Sequence, residues 1–145
     1  GIVEIGIYAL SCMPAEQVVL PASLVVIGEG AFAGCDKLKE IFIPAGVKQI
    51  GRNAFLKCVS LSSVAFEDSA AWTAVLSDDM YRKVTLDTSD RAENAENLTD
   101  VYLAYNWKKD NWIRNGDFSK NGSFRSRFLL VKIRNFNSYQ FSMKL

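Results

Sequence analysis

The chain has 145 residues, of which 49% are apolar and 23% are charged, and its formal net charge is +1. This length and composition are typical of one globular domain and exclude a disordered chain. No apolar run reaches the roughly 18 residues that a membrane-spanning helix requires. Histidine is absent, which excludes Ser-His-Asp and Cys-His catalysis and any metal site that needs imidazole.

Three similar segments follow one another in the first half of the chain. They begin at Ile5-Gly6, Ile27-Gly28 and Ile50-Gly51 and end at Cys12, Cys35 and Cys58. The cysteines are 23 residues apart, but the Ile-Gly pairs are 22 and then 23 residues apart, so we place a one-residue deletion between Ala9 and Cys12. Repeats of this length predict a solenoid in which each unit stacks on its neighbours.

Each repeat is predicted to contribute one short strand. Inward and outward positions alternate at Val18–Leu20, Ile41–Ile43 and Val64–Phe66, as in a strand with one buried face. Stacking makes these strands parallel neighbours, about 4.8 Å apart. The Ala-Phe-x-x-Cys part predicts a short helical turn with small buried cysteines, whose spacing does not match a zinc site. The glycines of the Ile-Gly pairs predict a tight turn or a close approach of neighbouring backbone.

The full pattern I-G-x-x-A-F-x-x-C-x-x-L-x-x-I-x-I-P-x-x-V-x-x-I-G resembles the BspA-like leucine-rich repeat of bacterial surface proteins. Residues 27–51 match it position by position, residues 50–66 match nearly as well, and residues 2–24 match with one deletion. The resemblance implies an α/β fold, a short right-handed leucine-rich-repeat solenoid of about three rungs over residues 2–67, with one parallel strand per repeat. It also implies a secreted or cell-surface protein. Because Ile2 already fills a repeat position, we expect the chain to begin within a repeat.

A mixed α+β C-terminal cap is predicted over residues 68–109, within the same structural domain. Residues 87–109 are similar to a segment that often closes such arrays. Trp72 and the run Met80–Leu86 are expected to form a small strand or hairpin before it. A solenoid end exposes an open core and an unpaired strand edge, so we expect the repeats to unfold if residues 90–109 are deleted.

One helix is predicted in this cap. Its apolar face recurs at spacings of 3, 4 and 3 residues, at Ala95, Leu98, Tyr102 and Tyr105. Asp90 followed by Glu93 resembles a capping box at its start, and Lys108 and Lys109 suit its C-terminal end by the helix dipole.

The charges are divided unevenly along the sequence. Residues 1–107 carry 8 basic and 14 acidic side chains, whereas residues 108–145 carry 9 basic and 2 acidic ones. Residues 110–145 form a basic tail in which aromatic and basic side chains are interleaved, and two strand-like runs in it predict a β-hairpin. Such a tail can bind nucleic acid or acidic glycans, and the candidate residues are Arg125, Arg127, Lys132 and Arg134. Strands with one solvated face account for the same residues, and we favour that interpretation.

The exposed face of the strand ladder is the candidate binding surface. Residues between the inward positions point outward and form two columns, Gln17, Glu40 and Ser63 in one and Val19, Phe42 and Ala65 in the other. An exposed aromatic residue can anchor an interface, so Phe42 beside Glu40 is the strongest candidate. The alternative is that the tail or a neighbouring molecule covers Phe42.

The sequence predicts a non-catalytic module for protein–protein interaction or adhesion, and no enzyme. Its carboxylate pairs, such as Asp78-Asp79, are adjacent residues that point to opposite faces of a strand. We expect no cofactor and no metal, and a protein or cell-surface ligand as the partner, with self-association through open solenoid ends as a further interaction. Nucleic acid is not favoured. Two alternatives stay open: a polyanion-binding module that uses the tail, and an accessory domain of a secreted enzyme.

Overall fold

The repeats form two parallel ladders of short strands. The computed structural model describes residues 1–68, 70–76 and 83–109. One ladder contains β1 (Glu4–Ile5), β3 (Val26–Ile27) and β5 (Gln49–Ile50), and the other contains β2 (Gln17–Val18), β4 (Glu40–Ile43) and β6 (Ser63–Phe66). Each repeat therefore contributes two strands, whereas the sequence predicts one. The additional strand is two residues long, which is too short to show alternation.

The strand registers show where the first repeat is shorter. Glu4 pairs with Val26, an offset of 22 residues, whereas Gln17 pairs with Glu40, an offset of 23. The later repeats keep the offset of 23 in both ladders. The missing residue therefore lies between β1 and β2, in the turn segment that joins the two ladders.

Hydrogen bonds within this turn segment place the deletion after Cys12. The Cys12 N–H donates to the Ala33 carbonyl at 2.8 Å, and the equivalent bond of the next repeat runs from Gly34 N–H to the Leu56 carbonyl at 2.6 Å. Cys12 therefore occupies the position of Gly34, and both have a positive φ, of 56° and 75°. The predicted deletion before Cys12 is wrong, and Cys12 is exposed instead of buried in the column of Cys35.

The Ala-Phe-x-x-Cys segments form turns that bond to the next repeat, so the predicted helical turn is wrong. The Gly30 N–H donates to the Arg52 carbonyl at 3.1 Å, and the Phe32 N–H donates to the Ala54 carbonyl at 2.8 Å. Gly30 also has a φ of 60°, which an α-helix does not allow. Every second N–H group of this segment therefore donates to a carbonyl of the next repeat and not to one within its own segment.

Close backbone packing explains the glycines of the later Ile-Gly pairs. A Cβ added to Gly51 would lie 2.5 Å from the Glu29 nitrogen, and one added to Gly28 would lie 2.7 Å from the Ile5 carbonyl oxygen. Both distances are far below van der Waals contact, and the atoms of Glu29 and Ile5 belong to the backbone, which cannot easily move away. The predicted close approach is confirmed at these two positions.

The core lies between the two ladders and consists of the inward columns of the repeats. Phe32 and Phe55, at equivalent positions, stack with their ring centroids 5.3 Å apart and their planes 8° from parallel. The largest fully buried aliphatic side chains are Leu24, Ile27, Leu38, Ile43, Val47, Ile50 and Val64. Like residues therefore contact like residues from one repeat to the next, as the sequence predicts.

The segment after the repeats covers the end of one ladder. It contains β7 (Trp72–Leu76), β8 (Lys83–Leu86), helix α1 (Arg91–Glu96), a π-helical turn (Asn97–Val101) and β9 (Tyr105–Lys109). Strand β9 runs antiparallel to β5 and to β7, and β7 pairs with β8. The β1–β3–β5 ladder is thereby extended to a six-stranded sheet, and the edge of β5 is paired.

Two predictions for the helix are wrong, because the chain leaves the helical conformation after Val101. Tyr105, Lys108 and Lys109 lie in β9 and not on the helix or at its end. The unpaired backbone groups of β5 provide partners for a strand here, and these outweigh the helical spacing of the side chains. The predicted β-hairpin of residues 110–145 and the residues 77–82 lie outside the described residues, and the predicted domain boundaries stay a prediction.

Two side chains hold α1 in place. The Asp90 half of the predicted capping box is confirmed, since the Asp90 carboxylate accepts from the N–H groups of Ala92 and Glu93 at 2.9 and 3.1 Å. The amide of Asn94 is fully buried, and its Nδ2 donates to the Val64 carbonyl at 3.0 Å and to the Thr88 carbonyl at 2.9 Å. Because Val64 lies in β6, Asn94 attaches the helix to the last strand of the second ladder.

A buried lysine fixes β9 to both loops beside it. Lys109 is 5% exposed, and its Nζ donates to the Asp68 carboxylate and to the Ala45 carbonyl, each at 2.6 Å. The same Nζ lies 5.8 Å from the centroid of the Trp72 ring. The buried charge of Lys109 is thus stabilised by a carboxylate, a backbone carbonyl and an aromatic ring. A buried charge without such partners would be strongly destabilising.

We expect Asn94→Ala to lower the free energy of unfolding by about 2 kcal/mol, because it leaves the buried Val64 carbonyl and the partly buried Thr88 carbonyl without their donor. Glu96→Ala is the matched control, since Glu96 lies on the same helix and is exposed. Chemical denaturation of both variants and of the wild type measures the difference. Equal midpoints for Asn94→Ala and the control would show that the amide does not support the packing of α1 on β6.

The cysteines are predicted to differ in reactivity according to their burial. Cys12 is exposed, whereas burial raises the pKa of Cys35 and raises the pKa of Cys58 to about 12. Because thiolate is the reactive form, iodoacetamide should modify native Cys58 roughly 1,000-fold more slowly than an unperturbed thiol. Mass spectrometry of the native protein should find Cys12 alkylated first, and Cys12→Ser should abolish that early product. Rapid alkylation of Cys58 would contradict the register derived above.

Candidate functional site

The six residues predicted for the binding surface lie together: five are on the outer face of β2, β4 and β6, and Val19 directly follows β2. The pairing of these strands places Gln17 beside Glu40, Glu40 beside Ser63, and Phe42 beside Ala65. All six line one shallow cavity of about 270 Å³. The predicted placement of these residues agrees with the structure, while their role in binding stays a prediction.

The alternation of β4 produces the exposed aromatic side chain. Ile41 and Ile43 point into the core and are 3% and 1% exposed, whereas Phe42 between them is 50% exposed. Val19, at the equivalent position of the preceding repeat, is 94% exposed. Two apolar side chains therefore stand side by side on this face, with solvent on their outer surface.

Polar contacts between repeats border these apolar residues. Gln17 Nε2 donates to Glu40 Oε1 at 2.7 Å, and Lys39 Nζ lies 2.8 Å from Glu16 Oε2. The hydrogen bond and the charge of Lys39 lower the pKa of Glu16, and because both side chains are exposed this pair contributes little to stability. Glu40 thus lies exposed next to Phe42, with one carboxylate oxygen hydrogen-bonded to Gln17.

A second cavity, of about 710 Å³, continues the first one towards the C-terminal segment. The two share Phe42, Ala65 and Arg91, so we treat them as one feature, the outer groove. Its apolar residues include Phe42, Phe66, Ala70, Ala71 and Leu86. Strand β6 and the residues after it form one wall, and residues 85–91 form the other.

The second wall of the outer groove was not identified from the sequence. Asp87 and Arg91 line this wall. Asp87 lies in the connection between β8 and α1, and Arg91 is the first residue of α1. The repeat pattern cannot indicate these residues, because they lie outside the repeats. The hydrogen bond from Asn94 to the Val64 carbonyl attaches α1 to β6 and so helps to place these residues beside the ladder.

The other sequence-predicted sites are not brought into the outer groove. Arg125, Arg127, Lys132 and Arg134, the polyanion-binding candidates, lie outside the described residues. Among residues 1–68, 70–76 and 83–109, no group of three or more His, Cys, Asp or Glu side chains could hold a metal ion. The same part of the chain contains no helix that is long and apolar enough to cross a membrane.

Comparison with known proteins identifies the repeats. A family model described as BspA type Leucine rich repeat region (6 copies) matches residues 2–78. No curated protein and no solved structure matches the chain. The matched residues include both parallel ladders and extend beyond residue 67, where the sequence analysis ends the repeats. Since the match covers more than half of the 145 residues, the chain belongs to the BspA-type leucine-rich repeat family.

Proposed function

We propose that the protein is a non-catalytic module for protein–protein interaction or adhesion, which binds its partner through the outer face of β2, β4 and β6. The observation that carries this proposal is the pair of exposed apolar side chains formed by Phe42 on β4 and Val19, the residue directly after β2. Apolar surface with a polar border is typical of interaction sites, and an aromatic side chain at its centre can supply much of the binding energy. Family membership supports the same assignment.

The backbone that carries Phe42 supports binding without rearrangement. Strand β4 is paired on both sides, with β2 and with β6, and its inward residues are fixed in the core. The position of Phe42 is therefore set before a partner arrives. A partner that contacts this face loses less free energy to ordering than it would on a loop.

The architecture and location are part of the same proposal. We infer that the two ladders are the sides of a short right-handed solenoid, and that the protein is secreted or exposed on a bacterial cell surface. The alternating use of the two ladders along the chain supports the first inference. Membership of the BspA-type family supports the second.

The free edge of the first ladder favours a second candidate, association of two copies. Within the described residues β1 pairs only with β3, so its other edge has no strand beside it. Ile2, Val3 and Ile7 near this edge are 62%, 57% and 70% exposed. An apolar strand edge of this kind can pair with another chain. Light scattering should then give a dimer for the wild type and a monomer for Ile7→Lys, while a monomeric wild type would eliminate this candidate.

The main proposal is tested by capture of partners from host extracellular extracts. We expect Phe42→Ser combined with Glu40→Lys to weaken capture by about 30-fold in Kd or more, which is the effect of losing roughly 2 kcal/mol at an interface anchor. Both residues are exposed, so the variant should keep the melting temperature of the wild type.

Val59→Ser is the matched control for this experiment. Val59 is 82% exposed and lines neither part of the outer groove, so its removal changes exposed apolar area elsewhere on the repeats. Specific capture should be retained by this control and lost by the double variant. If all three proteins capture the same partners with the same strength, the outer face has no role in binding.

A further inference from the structure

The outer groove combines apolar side chains with a border of carboxylates. Phe42 and Phe66 provide its aromatic surface, and Glu40, Glu67 and Asp87 stand on its border and are exposed. Arg91 is the one basic residue among the described residues that line it. An occupant that fits this surface has basic side chains together with aromatic ones, since opposite charges and apolar surfaces then face each other.

The chain itself contains a segment with this composition. Residues 110–145 carry 7 basic and 2 acidic side chains, a net charge of +5, whereas residues 1–109 carry 10 basic and 14 acidic ones, a net charge of −4. Within this segment, basic and aromatic residues are interleaved over residues 124–134, where Phe124, Arg125, Arg127, Phe128 and Arg134 occur. The two parts of the chain are therefore complementary in charge.

The position where this segment begins brings it close to the outer groove. Lys109 is the last described residue, and its Nζ lies 2.6 Å from Asp68 Oδ2. Asp68 itself lines the groove. The 36 residues that follow Lys109, at up to about 3.3 Å per residue, exceed the length that the groove requires. A segment tethered this near to a site has a high effective concentration there.

We propose that the outer groove is the docking site for residues 110–145 of the same chain. The basic residues of this segment, among them Arg125, Arg127 and Arg134, are complementary in charge to Glu40 and Glu67 on the border of the groove. Its aromatic residues, among them Phe124 and Phe128, are complementary in character to the aromatic surface of the groove. This proposal does not depend on the proposed function, but it has a consequence for it: the segment and an external partner compete for Phe42.

The test is zero-length cross-linking of the full chain with a water-soluble carbodiimide. The carboxyl group adds through one oxygen to the carbodiimide, and a lysine amine then attacks the activated carbon. The C–O bond breaks, the reagent leaves as a urea that keeps this oxygen and takes up the protons of the acid and the amine, and an amide bond remains. The lysines of the segment are Lys120, Lys132 and Lys144. In the monomer fraction we expect peptides that join these lysines to Glu67, Glu40 or Asp87, identified by mass spectrometry.

Control carboxylates distinguish docking from random encounters. Glu4 and Asp36 are exposed and lie outside the groove, so they should form at least about tenfold fewer cross-links than Glu67. Salt at about 1 M, where the Debye length is roughly 3 Å, should reduce the groove cross-links. Replacing Arg125, Arg127 and Arg134 by Glu leaves the three lysines in place and should reduce them as well.

Three outcomes would overturn the proposal. Equal cross-linking of Glu67 and the control carboxylates would show that the segment does not select the groove, and so would an absence of cross-links in the monomer. Cross-links found only between differently isotope-labelled copies would show that the segment binds a second molecule instead. The experiment contains no external partner, so its failure leaves the proposed function unaffected, and a failure of partner capture does not alter the cross-links.

Discussion

Backbone hydrogen bonding between successive repeats is the constraint on which this structure depends. In both ladders and in the turns between them, backbone N–H groups bond to carbonyls of the neighbouring repeat. The paired strand residues are 22 residues apart between the first two repeats in one ladder and 23 apart elsewhere. This offset stacks Phe32 on Phe55 and brings Gly51 against the backbone of Glu29. Because inward positions must repeat for the stack to pack, outward positions are left free to differ. The outer face therefore carries Val19, Phe42 and Ala65 in one column without loss of core packing.

The same constraint explains why the last repeat needs a segment of different sequence. The last repeat of a stack always has backbone carbonyls and N–H groups with no partner strand. Adding a further identical repeat would leave the same groups unpaired on the added repeat. Here β9 pairs antiparallel with β5 at one ladder, and the Asn94 amide reaches Val64 at the other. The second ladder is thus held by a side chain and a helix instead of a strand. Because residues 85–91 lie beside β6 without pairing with it as a strand, space remains between them, and that space is the outer groove.

The inward columns and the outward face could be predicted because they depend on a period that the sequence displays three times. Other features depend on single residues or on contacts that have no repeat. The additional strands, such as Val26–Ile27, have two residues and cannot show a period. Cys12 is exposed because the one-residue deletion of the first repeat comes after it. Aligning the three cysteines puts the deletion before Cys12 and so wrongly predicts that Cys12 is buried. The strand at Tyr105–Lys109 arises because β5 has a free edge, which is a property of the stack and not of these five residues.

Phe42 connects the fold to the function. In β4 the neighbouring side chains of Ile41 and Ile43 are buried in the core. Because successive side chains of a strand point to opposite faces, Phe42 points outward. Packing within the ladders therefore does not explain why a large apolar residue is present at this position. The same ring lines both parts of the outer groove, between the repeats on one side and the wall that includes Arg91 on the other. An occupant from the chain and an occupant from another protein would therefore use one anchor and exclude each other. Salt weakens the charge-dependent part of the proposed contact with the segment, so a higher ionic strength would shift the balance towards an external partner.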